Sequence, residues 1–534
     1  MGATHALWLL AVPVTALVVA GFARRAGIAA PLALVVAGLA FAYLPGVPEF
    51  RLEPEFVLYV FLPPLLFSAA WQSSYYNLRE NLRPIGLLSV GLVLFTTLVV
   101  GYVAWLVVPG LPLASAFVLG AIVAPPDAVA AVSVAQRLGL PRRTVTILVG
   151  ESLFNDATAL TLFRVALAAA VGAGFSIAEG VGRFAFAAVA GAVIGLALGP
   201  PLHWLRTRVR DPLVENTVSV VAPFAAYLIA EVVEASGVIA VVVSGLYLGH
   251  RFTESPAATR LIGQSFWKVV VFLLESVVFL LIGLQLPPVV QGLSGRGWGE
   301  LAWWAVAVFG ATVAARFVWV FATTYGPALV SERQREVQRR AGWRSHVVVS
   351  WAGMRGVVSL AAAFAIPFAS SSGARFPGRD LIVYLTFTTV LATLLVQGVT
   401  FPALIRRLGA GGERERYEDT VAEAGAHQAA ARAALERLDE LTGASDEPLD
   451  EDVVQRLRNL AEQQQLRAWE RLGGGTGQGG AEVPSATYRR LRLEMLAAER
   501  AAFVRMRDER RIDDEVLNRV LHELDLEEAA LSRR

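Results

Sequence analysis

The sequence predicts an all-α polytopic membrane protein with about thirteen transmembrane helices and a helical cytoplasmic tail. Apolar runs of about 20 residues, the length that crosses a bilayer as a helix, recur from the N-terminus to about residue 405. The chain is 55% hydrophobic and 17% charged, whereas soluble proteins carry about 25% charged residues. Residues 1–410 contain 28 basic and 18 acidic side chains, and the remaining residues contain 19 and 27. These two regions predict a membrane domain over residues 1–408 and a water-soluble tail over residues 409–534.

The apolar runs place the spans near residues 5–23, 28–47, 56–74, 85–108, 112–135, 144–171, 181–203, 213–234, 237–250, 266–289, 300–325, 345–368 and 380–405. Cytoplasmic loops carry an excess of Lys and Arg, so the loop arginines test this assignment. Every second loop is rich in arginine: Arg24 and Arg25; Arg79 and Arg83; Arg137, Arg142 and Arg143; Arg206, Arg208 and Arg210; Arg251 and Arg260; Arg333, Arg335, Arg339, Arg340 and Arg344. The alternate loops contain only Arg51, Arg296, Arg375 and Arg379. This bias predicts an N-terminus outside the cell and a C-terminus in the cytoplasm.

The first apolar run is expected to remain in the protein as a span. A cleaved signal peptide carries its positive charge before the apolar core, whereas Arg24 and Arg25 follow it.

Residue usage excludes several kinds of chemistry. Cysteine is absent, which excludes disulfides, thiol catalysis and cysteine metal sites. The lone lysine, Lys268, does not stand in a GxxxxGK[ST] phosphate-binding loop, and the sequence has no HExxH motif and no array of Ser, His and Asp in the spans. We therefore expect neither an enzyme nor an ATP-driven pump, with no cofactor and no nucleic-acid partner.

The preference for arginine over lysine is typical of a GC-rich bacterial genome, so the expected location is a bacterial plasma membrane.

The tail has helical apolar spacing with many Glu/Arg pairs over residues 417–442, 449–472 and 486–532. The segment Gly473–Gly480, GGGTGQGG, predicts a flexible linker. The tail is interpreted either as a solvated helical extension or as a regulatory or dimer-stabilising element.

Charged residues inside the predicted spans are the main functional signal. A charge at the centre of a membrane helix costs about 2.5–3.5 kcal/mol on insertion scales, so such residues are rare and mark ion or proton paths. The sequence places the following polar residues in spans: Asp127, Glu151, Asn155, Asp156, Arg164, Glu231, Glu275, Arg316 and Arg355.

The densest cluster lies in the sixth span, as Gly150-Glu151-Ser152-Leu153-Phe154-Asn155-Asp156. Side chains four residues apart share a helix face, which pairs Glu151 with Asn155 and Ser152 with Asp156. Carboxylate, hydroxyl and amide oxygens suit a hard alkali cation, and a carboxylate can bind either that cation or a proton. The alternative interpretation is a polar helix–helix hydrogen bond.

Two other spans contain features that break helices. In the fifth span, Pro125 and Pro126 precede Asp127 and remove helix hydrogen bonds. Broken helices at membrane depth are tolerated where they line a cavity, and transporters use them to aim half-helix ends at ions. The alternative is a simple proline kink.

In the twelfth span, Gly353 and Gly356 flank Arg355. A buried arginine needs a counter-charge, and Glu151 is the predicted partner. An Arg355 that snorkels to the membrane surface is the alternative.

Three further features leave alternatives open. Glu275 and Glu231 are interpreted as accessory site residues or as structural partners of Arg316 or Arg164. The stripe Gly191, Gly195 and Gly199 predicts close helix packing, against either the same chain or a second protomer.

Four motifs resemble the monovalent cation:proton antiporter family, the bacterial Na+/H+ antiporter branch related to sodium/proton exchangers. They are GAIVAPPD at 120–127, GESLFND at 150–156, FLLES at 272–276 and SWAGMRG at 350–356. The resemblance covers roughly residues 5–408. It implies an inverted-repeat antiporter fold, a core of spans 4–6 and 11–13, and unwound fifth and twelfth spans that cross near Asp127 and Arg355. It also implies a homodimer that works by alternating access.

The resemblance also implies roles for individual residues. The aspartate of the Asn-Asp pair, here Asp156, binds cation and proton in turn, and the serine one turn earlier, Ser152, is a cation ligand. The resemblance implies that Glu151 and Arg355 form a structural ion pair. An Asn-Asp pair, with Asn155 first, goes with electroneutral exchange.

Two positions depart from many relatives. Pro126 stands where a threonine oxygen helps to bind the cation, and Ser68 stands where relatives have Glu. The expectation is therefore Na+ or Li+ exchange for H+ with fewer side-chain oxygens around the cation. A K+/H+ antiporter and an uncoupled cation channel are the alternatives.

Overall fold

The computed structural model describes residues 3–44, 53–172, 177–209, 211–291, 293, 296–330, 332–369, 375–444, 450–472 and 484–532. These residues divide into two compact units, Met1–Gly411 and Gly412–Arg534. No strand occurs among them, so the described part of the chain is helical apart from its connections. The predicted linker Gly473–Gly480 lies outside the described residues.

The described residues of the first half of the membrane unit form ten helices: α1 Ala3–Arg25, α2 Ala30–Phe41, α3 Pro54–Gln72, α4 Tyr75–Glu80, α5 Leu82–Val107, α6 Leu113–Val123, α7 Ala128–Arg137, α8 Arg142–Ala170, α9 Ile177–Val209 and α10 Pro212–Val232. The described residues after them form seven more: α11 Gly237–His250, α12 Ala257–Leu284, α13 Leu286–Gln291, α14 Trp298–Val330, α15 Glu332–Trp351, α16 Val357–Phe364 and α17 Arg379–Leu408. Every predicted span overlaps at least one of these helices.

Eight helices in the described part are long and apolar enough to cross a membrane: α3, α5, α8, α9, α10, α12, α14 and α17. The helices α2 and α6 are apolar but shorter. The chain is thus a multi-pass helical membrane protein, as the composition predicts. The count of thirteen spans and the inverted repeat stay predictions.

The boundary between α10 and α11 has a clear local cause. Glu234 adopts a positive φ of 55°, which ends the helical path. The Ser236 side chain then accepts a hydrogen bond from the Ile239 backbone N–H, the usual role of a serine N-cap. Two separate helices follow from this turn, in agreement with the predicted break near Gly237.

The glycine stripe of α9 packs against α11 of the same chain. A Cβ atom added at Gly191 would lie 2.6 Å from the Ser236 carbonyl oxygen, and one at Gly195 would lie 2.6 Å from that of Ala240. A Cβ at Gly199 would meet the Tyr247 ring at 2.6 Å. Such distances leave no room for a side chain, so the stripe permits close contact between these two helices. Of the two packing partners that the sequence left open, the same chain or a second protomer, the stripe therefore contacts the same chain.

The tail unit contains α18 Glu413–Gly443, α19 Glu451–Leu472, α20 Pro484–Asp508 and α21 Asp514–Ser532. The sequence predicted one helix over 486–532, but the structure breaks it at residues 509–513, where Arg510 has a φ of 58°. The two helices form a hairpin through Arg492–Glu527 and Arg500–Asp525 ion pairs, each with an N–O distance of 2.6 Å. Hydrogen bonds from Arg492 hold the pKa of Glu527 below its usual value. The sequence carries a signal for this turn that the prediction missed, since Ile512 is the one apolar residue among residues 507–515.

The α9–α11 contact yields a test of packing. We expect Gly195→Val to lower the melting temperature of the detergent-solubilised protein, because overpacking of this kind costs about 1–3 kcal/mol. Gly182→Val on the same helix is the matched control, since a Cβ there has no neighbour within 4 Å. The measurement is the fraction of monodisperse protein after heating. Equal melting temperatures for the two variants would contradict the close contact.

Candidate functional site

Two interrupted helices cross inside the membrane unit. The helix α6 ends at Val123 and α7 begins at Ala128, with Pro125 and Pro126 in the gap. The helix α15 ends at Trp351, and α16 begins at Val357. The Asp127 N–H donates to the Met354 carbonyl oxygen at 2.7 Å, which joins the two gaps. Both interruptions lie where the sequence predicts them.

Arg355 satisfies the carbonyl groups that the first interruption exposes. Its guanidinium donates to the carbonyl oxygens of Val123 at 3.0 Å, Ala124 at 3.4 Å and Gly353. A cation is stabilising at the C-terminal end of a helix, where unpaired carbonyls concentrate negative charge. The Arg355 N–H in turn donates to the Thr393 hydroxyl at 3.0 Å. Arg355 is fully buried, so the snorkelling alternative is wrong.

The predicted ion pair between Glu151 and Arg355 is also wrong. The Glu151 carboxylate instead forms a bidentate pair with Arg316 of α14, with N–O distances of 2.5 and 2.7 Å. The Arg316 Nε also donates to the Val349 carbonyl oxygen at 3.0 Å. A planar guanidinium matches two carboxylate oxygens, whereas Arg355 is held by backbone oxygens. The sequence indicated Arg316 only as a partner for Glu275 or Glu231, because the charge of Glu151 alone does not distinguish between two buried arginines.

Gly353 lies between the two arginines. A Cβ added there would be 2.6 Å from Arg316 Cδ and 2.9 Å from a terminal nitrogen of Arg355. Glycine is therefore required for two guanidinium groups to approach the same unwound segment. Gly356 is equally constrained, because its missing side chain leaves space for the Asp127 carboxylate.

The two accessory glutamates have different positions. Glu231 pairs with Arg164 at 3.3 Å, and the Arg164 side chain is 62% exposed on the surface of the membrane unit. Glu231 is thus a structural partner, one of the two interpretations given above. Glu275 of α12 instead lines a cavity.

This cavity has a volume of about 690 Å³ and reaches the crossing of the interrupted helices. Its inner lining includes Asp127, Ser152, Asp156, Ser68 and Glu275. At its other end it is lined by residues of the α3–α4 and α7–α8 connections, among them Ser74 and Gly139. The structure therefore brings most of the predicted site residues to one water-accessible space.

Asp156 is the most enclosed carboxylate of this lining, with 8% of its surface exposed. It makes no hydrogen bond or ion pair with the described residues. Ser152 lines the cavity one helical turn earlier on α8. A carboxylate and a hydroxyl on one helix face are thus available to a cation or a proton that enters the cavity.

Asn155 lies outside the cavity lining, although the sequence predicted it as a cation ligand. Its amide nitrogen donates to the Pro126 carbonyl oxygen at 2.6 Å. Its side-chain oxygen is buried and has no hydrogen-bond partner among the residues that the structure describes. The structure thus positions Asn155 to hold the unwound segment against α8, next to Asp156.

A resident metal cofactor has no ready-made site in the described residues. No group of three or more His, Asp or Glu side chains there is close enough to hold a metal ion. Asp127, Asp156 and Glu275 therefore share a cavity but do not form one coordination shell.

The fold and the cavity define a multi-pass helical membrane transporter with two interrupted helices at an acidic site. The family model for the transmembrane sodium/hydrogen exchanger matches residues 13–407. The chain belongs to the sodium/hydrogen exchanger family, so it is a cation/proton antiporter and not an enzyme.

Individual relatives agree with this assignment. An uncharacterized Na+/H+ exchanger of Mycobacterium tuberculosis is 36% identical over 95% of this chain and 93% of its own length. A sodium, potassium, lithium and rubidium/H+ antiporter of Bacillus subtilis is 31% identical over 70% of this chain and 57% of its own length. The solved structure of the sodium proton antiporter MjNhaP1 from Methanocaldococcus jannaschii has the same fold, with a TM-score of 0.60 at 20% identity over 76% of this chain and 98% of that one.

The Glu151–Arg316 pair can be tested by stability. We expect Glu151→Gln to lower the free energy of unfolding by about 3–5 kcal/mol, because it leaves Arg316 buried without its counter-charge. Arg316→Gln should cost a similar amount, and the double variant should cost much less than the sum of the two. The measurement is a double-mutant cycle on thermal unfolding of the purified protein. A stronger coupling of Glu151 to Arg355 than to Arg316 would contradict the structure.

Proposed function

We propose that the chain exchanges Na+ or Li+ for H+, with cation and proton competing for the Asp156 carboxylate. The observation that carries this proposal is the enclosed, unpaired position of Asp156 at the inner end of the cavity. A single carboxylate binds either a proton or a cation, so competition couples the two fluxes. Ser152 supplies a neutral oxygen to the same ion.

The remaining site residues support Asp156 in this proposal. Asp127 lines the cavity at the N-terminal ends of α7 and α16, where a negative charge is stabilising. Asn155 contributes through the Pro126 carbonyl. The Glu151–Arg316 pair holds α8 without adding charge to the cavity. Ser68 lines the cavity and accepts a hydrogen bond from Gln72 at 2.8 Å, so it offers an oxygen but no charge.

We further propose electroneutral exchange, since one carboxylate accounts for one cation or one proton. K+ is the alternative substrate, and the potassium named for the Bacillus subtilis relative favours its inclusion in any assay. An uncoupled cation channel is the less favoured alternative.

The orientation proposed is an N-terminus outside a bacterial plasma membrane and a C-terminus in the cytoplasm. The end of the cavity away from Asp156 is lined by the α3–α4 and α7–α8 connections, which the arginine bias assigns to the cytoplasm. This supports a conformation in which the cavity opens toward the cytoplasm. The exchange domain is proposed over residues 1–408 and the cytoplasmic tail over 409–534. The homodimer, a role in pH homeostasis, the freedom from cofactors and a regulatory tail stay predictions.

The exchange proposal is tested in proteoliposomes that hold a pH gradient. The measurement is the recovery of the fluorescence of a pH-sensitive dye after Na+, Li+, K+ or Ca2+ is added. We expect Na+ and Li+ to dissipate the pH gradient, at a rate that an imposed membrane potential leaves unchanged. Dissipation without any added cation would instead indicate a proton leak, and a current that follows the membrane potential would indicate a channel.

The role of Asp156 is tested by Asp156→Asn in the same assay. We expect exchange to be lost, because the amide cannot release a proton and carries no charge for the cation. Normal amounts of folded protein in the membrane are the required control. Full exchange by this variant would overturn the assignment of the site.

The orientation is tested with single cysteines, since the natural chain has none. We expect Gly297→Cys to react with a membrane-impermeant maleimide added to intact cells. Thr253→Cys, in a loop assigned to the cytoplasm, should react only after the cells are opened. The reverse pattern would invert the proposed topology.

A further inference from the structure

Glu275 is a carboxylate in the membrane unit that no structural role explains. It lies on α12, one helical turn after Val271, and both residues line the cavity. It makes no hydrogen bond or ion pair with the described residues. By contrast, Glu151 and Glu231 are each paired with an arginine.

An unpaired carboxylate within a membrane span needs water, a proton or a cation as its partner. Glu275 is only partly buried, so the cavity supplies access to all three. Glu275 lies on α12 and Asp156 on α8, so the two carboxylates line the same cavity from different helices.

The charge of the cavity lining favours a cation. Among the described residues, three carboxylates line it, and Arg142 is the basic side chain of the lining. Arg142 is the first residue of α8. At a rise of 1.5 Å per residue, it lies about 21 Å from Asp156 along the helix axis. The enclosed and unpaired Asp156 is a second, independent sign that the inner part of this space holds a positively charged ligand.

The three carboxylates are too far apart to surround one dehydrated ion. A cation held at Asp156 would therefore contact Glu275 through water, and water-mediated contacts of this kind contribute to binding.

We propose that Glu275 determines the cation affinity of the exchanger by facing the cation bound at Asp156 across the cavity. This inference rests on the exchange function proposed above and adds a residue to it. Glu275 holds the hydrated alkali cation in the cavity and does not carry the exchanged proton. Its removal therefore weakens cation binding without stopping the exchange step.

The test compares Glu275→Gln with the wild-type protein in proteoliposomes at a fixed pH. We expect the Na+ concentration for half-maximal exchange to rise about tenfold, the order expected for loss of one unit charge near the cation, and the maximal rate to stay within about a factor of two. Glu275→Asp keeps the charge and should restore most of the affinity. Glu179→Gln, which removes an exposed carboxylate outside the cavity, should leave the half-maximal concentration unchanged.

A second measurement does not depend on transport. Ligands that bind only the folded protein raise its melting temperature, so Na+ or Li+ should stabilise the purified wild-type protein at lower concentrations than Glu275→Gln. If Glu275→Gln inserts poorly, Glu275→Ser provides the same comparison. An unchanged half-maximal concentration, or a loss of maximal rate at unchanged affinity, would overturn the inference. Absence of exchange by the wild type would instead refute the proposed function. If Asp156→Asn abolished exchange while Glu275→Gln behaved like the wild type, the proposed function would stand and the role of Glu275 would be refuted.

Discussion

The structure depends on satisfying two sets of helix ends that lie inside the membrane unit. A helix terminus leaves unpaired N–H and C=O groups, and hydrocarbon offers them no partners. Here the two gaps satisfy one another: the Asp127 N–H bonds to Met354, and the Arg355 guanidinium bonds to the last carbonyls of α6. The cost of interrupting each helix is thereby offset by the other interruption. The same crossing leaves Asp127 beside the cavity, so the stability of the fold and the chemistry of the site share their residues.

The glutamate and aspartate side chains of the spans differ in whether an arginine pairs with them. Arginine partners neutralise Glu151 and Glu231, and their geometry is fixed by hydrogen bonds within the protein. Asp156 and Glu275 line the cavity, and neither has such a partner among the described residues. Strong ion pairs would compete with a mobile cation for the same oxygens, so the proposed exchange site needs carboxylates that form no ion pair with arginine. The position of Arg142 at the far end of α8 meets that requirement.

Sequence reasoning found the residues of the site but not all of their contacts. Prolines in the fifth span, glycines around Arg355 and the polar cluster of the sixth span each have a local physical meaning, and the structure places the interruptions and the cavity accordingly. The partner of Glu151 could not be found this way, because two buried arginines on different helices satisfy the same charge rule. The role of Asn155 was missed for a similar reason, since its amide contacts a carbonyl that becomes available only when the fifth span is broken. The turn of the tail hairpin was missed although residues 507–515, RDERRIDDE, contain one apolar residue, because the prediction joined the apolar spacing on either side of this charged segment.

The Glu151–Arg316 pair has a consequence for motion. It joins α8 to α14, and the second bond from Arg316 to the Val349 carbonyl adds α15. Asp156 lies on α8 only five residues after Glu151, so its backbone cannot shift relative to these helices without breaking a desolvated bidentate contact. In the exchange proposed above, the part of the protein that moves with Asp156 therefore includes helices from both halves of the unit, and no single helix moves alone.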